Sequence, residues 1–247
     1  SKAGDAVGEV GEAEEQELGA EVAARLLGAA PLVRDEPLQR YVNRVGMWVA
    51  RHGERPGLPW RFAVVETPAI NAFAAPGGYI FITRGLFQAL RDEAELAGVL
   101  GHEVVHVVRR HHLEAIQKNA RMGVAKEVAS MVAADKGYDI DRWAGLGMEI
   151  YARGLDKDDE YQADLLGTVL AARAGYNPEG LRTVLMTLAN MNPAEGSLAL
   201  LFKTHPPPEE RLHRLVSGLG GRLHHLDGLP RPRARLAERQ AVLQGGS

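Results

Sequence analysis

The spacing of apolar side chains predicts helices over most of the chain. Residues 12–27 are helical in composition, and after Pro37 apolar residues recur every three to four positions, which is typical of one face of an amphipathic helix. From Asp92 onward the pattern is again almost entirely helical, with breaks expected at glycines such as Gly137 and Gly154. Most of the chain is therefore predicted to be helical.

A different pattern separates these helical regions. From Trp60 apolar residues alternate with other residues, which predicts short strands over residues 61–65 and 79–83 with a turn at residues 76–78. The sequence thus predicts an α+β fold that is mainly helical and contains one small β-sheet.

The composition fits one globular domain. The chain has 247 residues, of which 45% are hydrophobic and 25% are charged. We expect a flexible segment over residues 1–11 and a single domain over residues 12–247, with a C-terminal tail from about residue 218. The basic stretch at residues 231–235 is expected to be a solvated linker into a last helix.

Apolar runs in the sequence are too short to cross a membrane. The most apolar one, from Leu96 to Val108, is interrupted by three polar residues, whereas a membrane span needs roughly 18 consecutive apolar residues. The chain begins at Ser1 without an initiator Met, so we expect that a leader has been removed. Any membrane association would then go through that leader.

Net charge and cysteine content limit the partners and the metal ligands that are possible. The 29 basic and 32 acidic residues give a formal net charge of −3, so we expect no nucleic-acid partner. The absence of cysteine excludes disulfides, a thiol nucleophile and a thiolate metal site. A metal ion would have to be held by histidine and carboxylate side chains.

The strongest chemical signal is an HExxH motif on a helix for which Asp92 is the candidate N-cap. Residues four apart differ by about 40° around a helix axis, so His102 and His106 point the same way and can share a metal ion. Glu103 projects beside them, where it can act as general base toward a water molecule. Because a chance HExxH is expected in about one in a hundred such chains, the flanking residues decide the interpretation.

A catalytic zinc needs a third protein ligand and an open fourth position. His112 has the spacing of the HExxHxxGxxH pattern, but Arg109 replaces the glycine that turns the helix back. In a continuous helix His112 would lie about 240° from the second histidine and point away. Glu160 is the preferred ligand, with Asp164 four residues later on the same face orienting His102. A solvated acidic face is the alternative interpretation of Glu160 and Asp164.

Together these residues resemble the zinc metallopeptidases that include the CAAX prenyl protease and HtpX, and in particular their soluble bacterial envelope branch, the BepA-like proteases. The resemblance covers about residues 16–215 and is carried by four motifs in the family's order. They are NAFAAPGGYIF at residues 71–81, HExxH followed by RH at 110–111, ExxAD at 160–164, and THPP at 204–207 with Arg211.

The resemblance implies a gluzincin of zincin-like fold, in which the small sheet lies beside the HExxH helix with a cleft between them. It implies one Zn²⁺ per chain, held by His102, His106 and Glu160, with Glu103 as general base and Asp164 behind the ligands. It also implies an edge strand to which an extended substrate adds by main-chain hydrogen bonds. The substrate-binding residues would be Asn71, Ala72, Phe73 and Ala74.

Three further residues receive alternative roles from the resemblance. His205 would either stabilise the developing oxyanion or plug the open metal position, and a residue of no catalytic weight is the alternative. Arg211 would hold a carboxylate or stabilise the tetrahedral intermediate, and a surface ion pair is the alternative. Arg110 is expected to anchor its helix through a buried carboxylate, and contact with substrate is the alternative.

The sequence thus predicts a zinc-dependent metalloendopeptidase that cleaves protein or peptide substrates. The resemblance places it in the bacterial periplasm or cell envelope, in protein quality control, with misfolded envelope proteins as substrates. A latent or non-hydrolytic chaperone or adaptor of envelope assembly, using the same cleft, is the alternative. Processing of prenylated proteins is not implied, because the membrane-spanning helices of the integral-membrane relatives are missing from this sequence.

Overall fold

The computed structural model describes residues 10–128, 151, 153–192 and 194–245. Residues 1–9 of the segment predicted to be flexible lie outside the described residues, as does the break predicted at Gly137. The helices are α1 (Glu12–Ala29), α2 (Glu36–Ala50), α3 (Arg84–Ala89), α4 (Glu93–Val108), α5 (His111–Val128), α6 (Lys157–Arg173), α7 (Glu179–Ala189), α8 (Ala199–Thr204), α9 (Pro208–Leu219) and α10 (Ala234–Gly245).

The strands are β1 (Arg61–Val65), β2 (Ala72–Ala75) and β3 (Tyr79–Thr83). The two strands predicted from alternation are confirmed at their predicted bounds, and the mainly helical α+β fold with a small sheet is confirmed as well.

The sheet is mixed, and its two edges differ. Its order is β1-β3-β2, with β3 parallel to β1 and antiparallel to β2. The outer edge of β1 is covered, because Leu32 bridges Val65 and the Gln39 side chain donates to the Val64 carbonyl over 2.8 Å. The other edge is formed by β2, the strand at which the resemblance predicted substrate to bind.

Helix α4 runs through the centre of the molecule. Its start is fixed by Asp92, whose Oδ1 accepts the Glu95 backbone N–H over 3.0 Å, as predicted for the N-cap. Residues 93–107 are all buried, because α4 packs against the sheet as well as against α2, α6 and α7. The helix that carries HExxH is therefore held on every side.

The contact between α4 and α6 depends on two glycines. A Cβ at Gly101 would lie 2.7 Å from the Gly167 carbonyl oxygen, and a Cβ at Gly167 would lie 2.6 Å from the backbone nitrogen of His102. Only residues without a side chain allow the two backbones to approach so closely. This approach brings the acidic start of α6 beside the HExxH motif.

The C-terminal segment packs against the start of α4. Arg231 Nε lies 2.8 Å from Asp92 Oδ2, Arg235 Nη2 lies 2.7 Å from Glu93 Oε1, and Leu236 is fully buried. The prediction of a solvated linker is therefore wrong for Arg231, whose side chain is only 28% exposed. The physical reason is that Asp92 is a buried carboxylate that needs a cationic partner.

The helix crossing yields a stability prediction. Gly167→Ala is expected to destabilise the protein by about 1–3 kcal/mol, because the added methyl group overlaps the α4 backbone. In a domain of this size, Tm should fall by roughly 2–4 °C for each kcal/mol. Thermal unfolding followed by circular dichroism measures the change.

Gly28→Ala is the matched control, because Gly28 also lies in a helix but a Cβ there meets nothing within 4 Å. It is expected to leave Tm unchanged or raise it, since alanine favours helix by up to about 1 kcal/mol over glycine. An unchanged Tm for Gly167→Ala would contradict the close approach of the helices.

Candidate active site

Three buried side chains from two helices converge at the centre of the cleft. His102 Nε2 lies 3.0 Å from His106 Nε2, and the Glu160 carboxylate has one oxygen 3.7 Å from His102 Nε2 and the other 3.5 Å from His106 Nε2. All three residues are at most 3% exposed. The structure thus brings together the three side chains that the sequence predicted as metal ligands, His102 and His106 from α4 and Glu160 from α6.

Asp164 lies behind His102, as predicted. Its Oδ1 is 2.9 Å from His102 Nδ1, and its two oxygens accept from Arg211 Nε over 2.9 Å and Arg211 Nη2 over 2.6 Å. Burial by itself raises the pKa of Asp164, but the Arg211 guanidinium outweighs burial and holds that pKa well below the usual range. Arg211 is therefore a buried partner of a carboxylate, and the alternative of a surface ion pair is wrong.

The surroundings shift the pKa values of Glu103 and Glu160 in opposite directions. Burial raises the pKa of Glu103 well above its usual value, and repulsion from Glu160 adds to this shift. Burial also acts to raise the pKa of Glu160, but the nearby His205, His102 and Arg211 together lower it to about 2. Glu160 is thus held as a carboxylate, whereas Glu103 has the raised proton affinity typical of a general base.

His205 lies directly against this cluster. Its Nδ1 is 2.6 Å from Glu160 Oε2, and the side chain is 13% exposed. His102, Glu160 and His205 each offer one ligand atom within 4.8 Å of the others, so they form a candidate metal-binding group. The Pro-bounded loop therefore does bring His205 within reach of the predicted metal position.

Helix α4 does not continue into α5. Arg110 has a φ of 57°, in the left-handed region that non-glycine residues rarely adopt, and α5 begins anew at His111. His112 is consequently buried within 5.4 Å of the His106 ring, so the expectation that it points away is wrong. Glu160 nevertheless has oxygens within 3.7 Å of both HExxH nitrogens.

Arg110 binds a buried carboxylate, as predicted, and this contact holds the break between α4 and α5. Its Nη2 lies 3.1 Å from Glu15 Oε2, and Glu15 is 1% exposed. Glu15 also binds Arg55 through contacts of 2.8 and 3.0 Å, and it accepts the Gly77 backbone N–H over 3.3 Å. The buried carboxylate expected for Arg110 is thus contributed by α1.

The break also brings His111 beside His106, where sequence reasoning gave it no role. The two Nδ1 atoms lie 2.9 Å apart, and His111 is buried. The RH pair after HExxH was the available signal, but its spacing in a continuous helix would not predict a contact.

The cleft beside the cluster is an apolar cavity of about 240 Å³. Of the predicted substrate-binding residues, Asn71, Ala72 and Phe73 line it, whereas Ala74 is fully buried in β2. Asn71 Oδ1 is buried and has no hydrogen-bond partner among the described residues. Leu26, Leu155 and Leu200 add to the apolar lining.

Tyr151 also lines the cavity and was missed from the sequence. Its hydroxyl donates a short hydrogen bond to the Ala74 carbonyl oxygen of β2, and its ring stacks on His112 with the centroids 4.8 Å apart. No sequence motif marks Tyr151, because its position depends on contacts between segments far apart in the chain.

Among the described helices, none combines the length and the apolar composition that crossing a bilayer requires.

Comparison with known proteins agrees with this geometry. The chain is 30% identical over 206 residues to the beta-barrel assembly-enhancing protease of Escherichia coli O157:H7, an alignment that covers 81% of this chain and 42% of that protease. It is 33% identical over 157 residues to the mitochondrial metalloendopeptidase OMA1 of Arabidopsis thaliana, which covers 63% of this chain and 30% of that protein. A protease HtpX homolog of Desulfatibacillum aliphaticivorans is 32% identical over 210 residues, with 68% of this chain and 66% of that protein covered.

The chain thus spans less than half the length of the first of these relatives. A sequence profile of one protein family matches residues 36–218, well over half of the chain, and this range contains the HExxH motif, Glu160, Asp164, His205 and Arg211. The resemblance inferred from the motifs is confirmed: the chain belongs to peptidase family M48.

Proposed function

We propose that the protein is a zinc-dependent metalloendopeptidase with one Zn²⁺ per chain. The observation that carries the proposal is the convergence of His102 Nε2, His106 Nε2 and the Glu160 carboxylate within 3.7 Å of one another. Two histidines and one carboxylate, with a further position open, form the ligand set of a catalytic zinc site.

The protonation of these groups fits a cation. Asp164 is an acceptor, so the Nδ1 of His102 donates to it and Nε2 is left with a free lone pair. Burial lowers the pKa of both His102 and His106, so the rings are held neutral. The lone pair on His102 Nε2 therefore faces the Glu160 carboxylate without a proton between them, and a cation between these groups would stabilise both. His102, His106 and Glu160 would bind that cation.

The side chains around the site would then have separate roles in peptide hydrolysis. Zinc, when bound, supplies a Lewis acid that polarises the scissile carbonyl. Glu103 removes a proton from the attacking water and passes it to the leaving amine. Asp164 and Arg211 keep His102 oriented, and Arg211 or His205 would bear part of the oxyanion charge.

An extended peptide is the substrate that suits the cleft. Strand β2 is a sheet edge, and a substrate strand can add there by main-chain hydrogen bonds. The unpartnered Asn71 Oδ1 would accept a substrate N–H. The backbone of Ala72, Phe73 and Ala74 would pair with the substrate strand. The apolar lining favours unfolded segments that expose hydrophobic side chains.

The name of one relative supports a proposal about the physiological setting. One of them is named for enhancing β-barrel assembly, so we place this protein in the bacterial periplasm or cell envelope, where misfolded envelope proteins would be its substrates. We further propose that residues 12–247 form one domain, supported by the contacts of Arg231 and Arg235 with the start of α4.

One observation favours a second candidate function. His205 Nδ1 lies 2.6 Å from Glu160 Oε2, so its imidazole would occupy the open metal position. A cleft closed in this way would bind strands without cleaving them, as a latent protease or as a chaperone or adaptor of envelope assembly. Glu103→Gln separates the two functions, because a binding role would not need a general base.

Glu103→Gln is expected to lower peptidase activity by at least about 100-fold, since general-base catalysis contributes 10²–10⁴-fold. Zinc content should stay at one equivalent per chain. Casein cleavage and metal analysis of the purified protein measure both quantities. Glu114→Gln is the matched control, because Glu114 is an exposed glutamate on α5 and should leave cleavage unchanged. Cleavage that survives Glu103→Gln would contradict the mechanism.

If His205 blocks the open metal position, His205→Ala is expected to raise peptidase activity several-fold, because it removes the imidazole that binds Glu160. Rates on an unfolded protein substrate at saturating zinc measure the effect. The exposed His213 provides the control variant His213→Ala, which should behave as wild type. A fall in activity for His205→Ala would instead assign His205 to stabilisation of the transition state.

A further inference from the structure

The two ring nitrogens of His106 face different partners. Its Nε2 is directed toward His102 and Glu160, at 3.0 and 3.5 Å. Its Nδ1 lies 2.9 Å from the Nδ1 of His111, an imidazole with no place in the proposed mechanism. His111 is 3% exposed, so water does not compete for this contact.

A hydrogen bond between two such nitrogens needs one donor and one acceptor. A neutral imidazole carries its proton on one nitrogen, and a ring that binds a metal through Nε2 carries it on Nδ1. His106 Nδ1 is then the donor and His111 Nδ1 the acceptor. His111 must keep its own proton on Nε2, which lies 3.0 Å from Gln162 Oε1, a side-chain acceptor on α6. Hydrogen bonds then run from His106 to His111 and from His111 to Gln162, and each residue donates to the next.

This arrangement differs from the one at the other HExxH histidine. His102 Nδ1 faces the carboxylate of Asp164, whereas His106 Nδ1 faces a ring nitrogen of another histidine. Each histidine of the motif thus has its ring orientation fixed by a different partner. Both sets of contacts end on α6, at Asp164 for His102 and at Gln162 for His106.

The backbone break at Arg110 makes the contact with His111 possible. Residues five apart lie about 140° apart around a continuous helix, so His111 would not meet His106 if α4 went on. The left-handed conformation of Arg110 turns the chain, and the contact of 3.1 Å between Arg110 and the buried Glu15 holds it there. An uncommon backbone conformation is therefore kept at the position that aims His111 at His106.

We propose that His111 is a positioning residue that fixes the tautomer and ring orientation of His106, so that Nε2 is presented to the metal. The inference rests on the proposed zinc site. Histidines that bind metals usually donate their other N–H to an acceptor, and loss of that acceptor weakens metal affinity by about 10- to 100-fold.

The test is the zinc affinity of the full chain, measured by competition with a chromophoric chelator. His111→Leu removes the acceptor and is expected to weaken zinc binding by about 10- to 100-fold. His111→Asn places an oxygen at the position of Nδ1 and should stay much closer to wild type. His112→Phe is the matched control, because it removes a neighbouring buried imidazole and keeps a ring against Tyr151; its zinc affinity should equal that of wild type.

Nitrogen NMR of the histidine rings provides a second measurement on the unmodified protein loaded with zinc. His106 should be protonated at Nδ1 and His111 at Nε2. A proton on Nδ1 of His111 would overturn the inference even if His111→Leu failed to fold. Equal zinc affinities of wild type and His111→Leu would overturn it as well, while leaving the proposed function intact. Failure of the wild type to bind zinc at all would overturn both.

Discussion

The close crossing of α4 and α6 is the constraint on which the site depends. His102 and His106 come from one helix, whereas Glu160 and Asp164 come from the other. A carboxylate side chain is short, so the two backbones must nearly touch before its oxygens reach the imidazoles. Gly101 and Gly167 allow this approach, and the four polar side chains are then buried together.

Burying so many charges carries a large desolvation cost, which the fold offsets with paired groups. Asp164 has Arg211, Glu15 has Arg55 and Arg110, and Asp92 has Arg231. Removal of one partner of such a buried pair typically costs about 3–5 kcal/mol. The arginines therefore fix which segments lie next to one another around the cluster of His102, His106 and Glu160.

Local patterns in the sequence were enough to predict much of this architecture. The alternation of residues 61–65 and 79–83 gave both strands, and the cap at Asp92 gave the start of α4, because these features depend on neighbours in the chain. The spacing of HExxH and ExxAD also indicated which side chains would meet. The turn at Arg110 escaped prediction, since no glycine marks it and its partner Glu15 lies far away in the sequence.

The position of Glu15 shows that a segment outside the family match helps to hold the site. The stretch recognised by the family profile starts at residue 36, after α1 has ended. A chain cut at that boundary would lose Glu15 and leave two arginines and the Gly77 N–H without their carboxylate. Helix α1 is therefore part of the fold that holds the site, although it lies before the stretch matched by the family profile and contributes no residue to the cluster of His102, His106 and Glu160.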